Sequence, residues 1–219
     1  MSIKSRVYNS LPGIRILGMH HMGEHTPNQM SSCVISSIHF KEFIRNKSFS
    51  GLDDAICHPW RNNDRYCLTI DDGLSDLYDI YQIAKDESIP ITAFISTSFI
   101  DTKGYITRDQ LVEMAENSLV TIGSHGRTHR MLCDCSDVEA SEEIITSKQE
   151  LEAIINEKVR YFAYPNGVYS GREIDLVRTA GYEYAFGVIP RKHTIVTKYN
   201  SRYCLPRFNL TDDTYGVLK

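Results

Sequence analysis

A chain of 219 residues is long enough for one domain with a large core, and 42% hydrophobic with 24% charged residues is an ordinary globular composition. A net charge of −4 without a basic block argues against nucleic-acid binding as the main purpose. No run reaches the roughly 18 apolar residues of a membrane span, and residues 1–9 lack the apolar core of a signal peptide, so a cytoplasmic protein with its six cysteines reduced is expected.

In chain order, residues 14–19 are a short apolar strand that runs straight into His20 and His21. Residues 22–32 are polar and read as a loop. Ile38, Phe40, Phe43 and Ile44 then fall at helical spacing within 38–49. A second loop leads to Cys67-Leu68-Thr69-Ile70, an apolar and β-branched strand that stops abruptly at Asp71-Asp72-Gly73. Leu74, Leu77, Ile80, Tyr81 and Ala84 mark an amphipathic helix after it. The pattern repeats with a strand at 89–96, a helix at 107–117 capped by Thr107 or by Arg108-Asp109, and a strand at 119–125 that ends in His125. A long helix over 138–156 carries Ile144, Ile145, Leu151, Ile154 and Ile155 on its apolar side. A strand at 160–164 is stopped by Pro165-Asn166-Gly167, a strong turn signal. A helix at 171–180 ends at Gly181, and strands at 184–188 and 203–208 complete the chain.

Seven strands separated mostly by helices imply right-handed βαβ units and a parallel sheet. No glycine-rich phosphate loop follows the first strand, which weighs against a dinucleotide-binding fold. The expected architecture is an α/β distorted (β/α)7 barrel, similar to a TIM barrel, in one domain over residues 1–219 with its core at about 14–210. Functional groups of such barrels gather at the C-terminal ends of the strands. Here those ends carry His20, Asp71-Asp72, His125 and Pro165-Asn166-Gly167.

Successive residues at a strand end point in different directions, so Asp71 and Asp72 have different jobs. One can hold a metal while the other moves protons, or the pair can cap the following helix. His125 and His129 lie four residues apart; a helical turn there would put both imidazoles on one side, able to share an ion. Two histidines and one carboxylate are a common donor set for a catalytic divalent metal.

These residues resemble a known family. Thr69-Ile70-Asp71-Asp72-Gly73, His125-Gly126-Arg127-Thr128-His129 and Phe162-Ala163-Tyr164-Pro165-Asn166-Gly167 are similar to three successive motifs of the polysaccharide deacetylases of carbohydrate esterase family four, which include the chitooligosaccharide deacetylases. Ile91-Thr92-Ala93-Phe94-Ile95 resembles the strand that follows the first motif. The resemblance implies that Asp71 is the general base and that Asp72, His125 and His129 hold one divalent metal, Zn²⁺ first, with Co²⁺, Ni²⁺ or Mn²⁺ able to fill the same set. It implies an oxyanion and substrate contact from Tyr164, Pro165 and Asn166, chiefly the amide of Asn166.

The family's late Leu-x-x-His motif has no copy at Tyr203–Phe208. Leu17-Gly18-Met19-His20 instead resembles a branch that carries the catalytic histidine near the N-terminus, with Met19 replacing a tyrosine; it implies His20 as general acid, with His21 as the alternative. Ala163 stands where the family has a base-orienting arginine, and Arg207 is either its replacement or an exposed structural residue. The fourth motif's Asp-Trp pair is absent, and Trp60 and Tyr169 either stack on a sugar or pack over a loop.

The function implied is hydrolysis of an N-acyl group, acetyl first, from an amino sugar in a polysaccharide, oligosaccharide or precursor. Alternatives are a deacylase or deformylase of a lipid- or nucleotide-linked amino sugar, and an inactive carbohydrate-binding relative. The expected partner is the carbohydrate substrate, with no nucleic acid and no membrane span.

Overall fold

The computed structural model describes residues 14–23, 33–58, 65–188 and 201–218. Seven parallel strands close into a barrel: β1 (Ile14–Met19), β4 (Arg65–Ile70), β5 (Ile91–Ile95), β6 (Val120–Ser124), β7 (Tyr161–Ala163), β8 (Tyr184–Val188) and β9 (Leu205–Asn209), in that order around the ring. Closure comes from β9 against β1, where Ile16 pairs with Arg207, Leu17 with Phe208 and Gly18 with Asn209. The expected (β/α)7 barrel is therefore the architecture. Two short strands, β2 (His21–Met22) and β3 (Val34–Ile35), form a separate parallel pair beside it.

The helices are α1 (Ser37–Arg45), α2 (Leu52–Cys57), α3 (Leu77–Asp86), α4 (Arg108–Ala115), α5 (Asp137–Ile155), α6 (Gly171–Thr179) and α7 (Asp212–Leu218). Among the described residues, none is long and apolar enough to cross a membrane. Their starts are chemically specified. Thr107 with Gln110, Ser136 with Glu139 and Ser170 with Glu173 form capping boxes that satisfy orphan amides at α4, α5 and α6.

Several boundaries differ from the sequence reading. The helix expected directly after Gly73 starts at Leu77, because residues 71–76 turn over the barrel mouth first. The helix expected over 38–49 is α1, which stops at Arg45 with Asn46 as its cap, and Ile38 is 75% exposed while Phe40, Phe43 and Ile44 are buried. On α5, Ile145 faces outward. The sequence pattern marks neither α2 nor α7.

Strand alternation divides the core in two. Leu68, Ile70, Leu17, Met19, Ala93 and Phe162 face outward and pack against the helices. Ile14, Ile16, Cys67, Phe94, Tyr161, Phe186 and Leu205 face inward and fill the barrel, with Leu52 and Ala55 of α2 packed against them. Asp53 of α2 ties that helix to Arg160 and to the Tyr161 hydroxyl at the start of β7. One end of the barrel is thus filled with apolar and aromatic groups, leaving polar interior positions for the opposite, C-terminal end.

Candidate active site

The β4 ladder with β1 ends at Met19 and Ile70, after which the Asp71 amide donates to the Met19 carbonyl at 2.8 Å. The chain then reverses through two residues in the left-handed region, Asp72 (φ 72°) and Gly73 (φ 80°). Aspartate tolerates that conformation better than most side chains, and glycine adopts it freely. This turn sends the two carboxylates apart.

Asp71 continues the inward column of Cys67 and Thr69 and is only 2% exposed. Arg207, fully buried on β9, meets it with two parallel bonds: Nη1 donates to Oδ1 at 2.6 Å and Nη2 to Oδ2 at 2.7 Å. The same Nη1 donates to Thr69 Oγ1 at 3.0 Å, and that hydroxyl donates to the Leu17 carbonyl at 2.8 Å. The guanidinium also lies over the Phe94 ring, 5.2 Å from its centroid. Gly18 of β1 lies directly beside it: a Cβ there would be in ordinary contact with Arg207 Cζ at 3.7 Å and Asn209 Oδ1 at 3.4 Å. Burial pushes the Asp71 carboxyl upward, but the charge of Arg207, then of His125, and the Arg207 bonds outweigh it and hold Asp71 well below the usual carboxylate range. The arginine left open by the sequence, exposed or base-facing, is buried against Asp71.

Asp72 turns toward two imidazoles. Its Oδ1 lies 3.5 Å from His125 Nε2 and 3.2 Å from His129 Nε2, yet it is buried without an aligned hydrogen-bond donor. One ligand atom from each of Asp72, His125 and His129 lies within 4.8 Å of the others. His125 is buried, and its Nδ1 is 2.8 Å from the Ala163 carbonyl, which fixes the tautomer with hydrogen on Nδ1 and the Nε2 lone pair facing Asp72. Burial lowers the His125 pKa despite the two nearby carboxylates, which keeps the ring neutral. An orphaned carboxylate oxygen facing two imidazole nitrogens, one of them locked as a lone-pair donor, fits a divalent metal.

His129 reaches the cluster differently from the expected helical turn. Residues 125–130 are irregular, with Gly126 at φ 79° and His129 itself at φ 58°. The two rings meet edge-on, centroids 4.8 Å apart. A helix is excluded here because the loop is pinned on both sides: Thr97 and Ser98 amides donate to the Gly126 and Arg127 carbonyls, while Glu143 of α5 accepts from the Arg127 and Thr128 amides.

His20 and His21 part company. His20 Nε2 is 3.9 Å from Asp71 Oδ2, and its buried Nδ1 has no hydrogen-bond partner. His21 Nδ1 is 2.9 Å from Asp76 Oδ2, an oxygen that also accepts from the Met22 amide at 2.6 Å, so its ring is taken up in holding β2 near α3.

At the β7 end, Tyr164 is buried, its hydroxyl donates to the Tyr203 carbonyl, and its ring stacks on Tyr169 with centroids 4.5 Å apart. Its amide is used by the Phe186 carbonyl at 3.0 Å, and Pro165 has no amide hydrogen. Asn166, exposed and left-handed at φ 56°, is the member of this trio with an N–H not taken by β8. Tyr169 packs on Tyr164 in place of standing free, and Trp60 lies outside the described residues.

The sequence reading placed Thr69 in the first motif without a role, and missed Glu143. A signal for Glu143 existed: it shares a helical face with Ala140, Ser147 and Leu151, where a carboxylate needs a partner.

A family model described as polysaccharide deacetylase matches residues 61–185, more than half of the chain. The chain belongs to the polysaccharide deacetylase family. It is 26% identical over 195 residues to the poly-β-1,6-N-acetyl-D-glucosamine N-deacetylase of Staphylococcus epidermidis, covering 82% of this chain and 65% of that one. The Staphylococcus aureus protein of the same name is 25% identical over 167 residues, 69% of this chain and 56% of that one. The chain therefore spans less than two-thirds of the length of both curated relatives. Among solved structures, the Streptococcus pyogenes deacetylase PplD in complex with acetate has the same fold, with a TM-score of 0.82 at 20% identity over 95% of this chain and 97% of that chain. This polysaccharide deacetylase family member thus shares the barrel of a structure that is the same size as itself.

Proposed function

We propose that this protein is a metal-dependent hydrolase that removes an N-acyl group, acetyl first, from an amino sugar within a polysaccharide or oligosaccharide. The observation that carries this reading is the meeting, at one barrel mouth, of the Asp72–His125–His129 donor set with a separately held carboxylate, Asp71. Family membership supports it, and so do the two staphylococcal relatives named as N-deacetylases of a poly-N-acetylglucosamine.

In this reading Asp72, His125 and His129 hold the metal, Zn²⁺ foremost. When bound, a divalent ion supplies Lewis acidity, polarising a carbonyl and lowering the pKa of water toward about 7. Asp71 is ionised throughout the neutral range and takes the proton from the attacking water. Arg207 keeps that carboxylate in one orientation through both oxygens, the task of the arginine that Ala163 replaces. His20 stands across from Asp71, too far for a hydrogen bond at 3.9 Å, so acid and base remain separate groups. It delivers a proton to the departing nitrogen, which would otherwise leave as an amide anion. The Asn166 amide donates to the developing oxyanion.

The test is acetate release from N-acetylated sugars, from single-sugar conjugates to oligomers, using metal-free protein with Zn²⁺, Co²⁺ or chelator. Chelator-sensitive release that falls by about 10²-fold or more in Asp71→Asn and His20→Ala is expected. Bound metal with no acyl release from any substrate would replace this reading with carbohydrate binding. Failure to bind metal would refute it.

A further inference from the structure

We infer that Glu143 of α5 is a positioning residue for the metal site, holding the loop from which His129 reaches inward and thereby setting metal affinity. The inference rests on the reading of Asp72, His125 and His129 as the metal ligands. Glu143 is 7% exposed. Its Oε2 accepts from two successive amides, Arg127 at 2.9 Å and Thr128 at 2.7 Å, and its Oε1 accepts from the Thr128 hydroxyl at 2.5 Å. The two peptides that lead up to Thr128, the residue before His129, are therefore gripped by one carboxylate.

The grip answers a specific need. His129 sits at φ 58°, a conformation that a side chain with a Cβ leaves unless its surroundings hold it. The carbonyl side of the loop is tied to the exit of β5, with Thr97 donating to Gly126 at 3.3 Å and Ser98 to Arg127 at 2.9 Å. The amide side is tied to Glu143. Gly126 supplies the left-handed turn, at φ 79°, that presents the next two amides to the carboxylate.

The two histidines depend on this loop unequally. His125 is fixed by the sheet, its amide on the Ile95 carbonyl at 2.9 Å and its ring on the Ala163 carbonyl. His129 lies beyond the gripped peptides and takes its direction from them. A carboxylate serving only α5 would bond within that helix; the three bonds found here all go to the loop.

The experiment is titration of metal-free protein with Co²⁺, read by visible absorption, beside a metal-free thermal melt of each variant. Glu143→Ala is expected to weaken Co²⁺ binding about 10–100-fold, as loss of a residue behind a metal ligand does, and to alter the absorption bands. Glu143→Gln keeps an oxygen for the two amides and an NH₂ for the Thr128 oxygen, so it should restore affinity to within about 3-fold of the parent. Unchanged affinity and bands in a folded Glu143→Ala protein would overturn the inference. If Glu143→Ala shows no cooperative melt, Thr128→Val decides: weaker Co²⁺ binding in a folded protein supports the inference, and unchanged binding overturns it. A parent that binds no Co²⁺ refutes the metal site itself; a parent that binds while Glu143→Ala binds equally refutes only the role of Glu143.

Discussion

Removing Arg207 is the sharpest perturbation of the site that leaves all three donor residues in place. Arg207 is fully buried and Asp71 is 2% exposed, so in Arg207→Met the carboxylate loses two bonds of 2.6 and 2.7 Å and gains no water in exchange. Breaking a buried pair from one side typically costs about 3–5 kcal/mol, because the remaining charge is uncompensated. For a domain of this size that is a fall in melting temperature of roughly 6–20 °C. Thr69 suffers little, since its hydroxyl still donates to the Leu17 carbonyl. The double variant Asp71→Leu, Arg207→Met removes both charges, and apolar replacement of a whole buried pair is often neutral or stabilising by about 1–4 kcal/mol. It should therefore be more stable than Arg207→Met alone, with a coupling energy of about 2 kcal/mol or more. Urea unfolding of the parent, both single variants and the double variant in chelator measures this without a contribution from metal. A loss below about 1 kcal/mol in Arg207→Met, or a double variant no more stable than it, would show that Asp71 is not held as a buried ion pair.

The two neighbouring histidines should separate in the acetate assay: His20→Ala loses about 10²-fold or more in kcat, whereas His21→Ala, which loses only its Asp76 contact, keeps most activity. Glu173 gives a pH signature. Burial raises its pKa, but bonds from Ser170 and Arg172 outweigh that and hold it low, so its stabilisation is present above the unfolded value of about 4.3 and lost as pH falls through the folded value. Glu173→Gln should accordingly destabilise more at pH 7 than at pH 3, by urea unfolding; an equal loss at both pH values would contradict the assignment. Burial pushes the Cys67 thiol up to about 12, with the Ser50 contact opposing it, so iodoacetamide at pH 8 should label exposed Cys57 and Cys133 and reach Cys67 only in unfolded protein, as read by peptide mass.

Much of the barrel was legible because each strand is a continuous apolar run ended by a polar or turn residue, and each major helix has a 3.6-residue stripe. The parts that escaped lack such a period. α2 is six residues, Leu52–Cys57, too short to display one, and β2 and β3 are two residues each. The path of His129 escaped for another reason. Four-residue spacing suits a helix, but tertiary bonds from Glu143 and Ser98 impose a left-handed residue instead, and neither partner is near in sequence.

The pairing of Asp71 with Arg207, 136 residues apart, follows from a simpler rule than either residue's chemistry. Inward positions recur every second residue: Ile14, Ile16, Gly18 and then His20 from β1; Cys67, Thr69 and Asp71 from β4; Leu205, Arg207 and Asn209 from β9. β1 lies between β4 and β9 in the ring, so these three columns are neighbours. The β1 and β9 columns begin with an apolar residue at the filled end, the β4 column begins there with Arg65, which is tied to Asp54 of α2, and all three finish with a polar residue at the mouth. The middle column carries Gly18, and the guanidinium from one side passes beside it to the carboxylate on the other. A single-residue slip in β9 would turn Arg207 outward into the helical layer and leave Asp71 buried and alone. The barrel's register, set by apolar alternation at the closed end, thereby decides which charged groups meet at the open one.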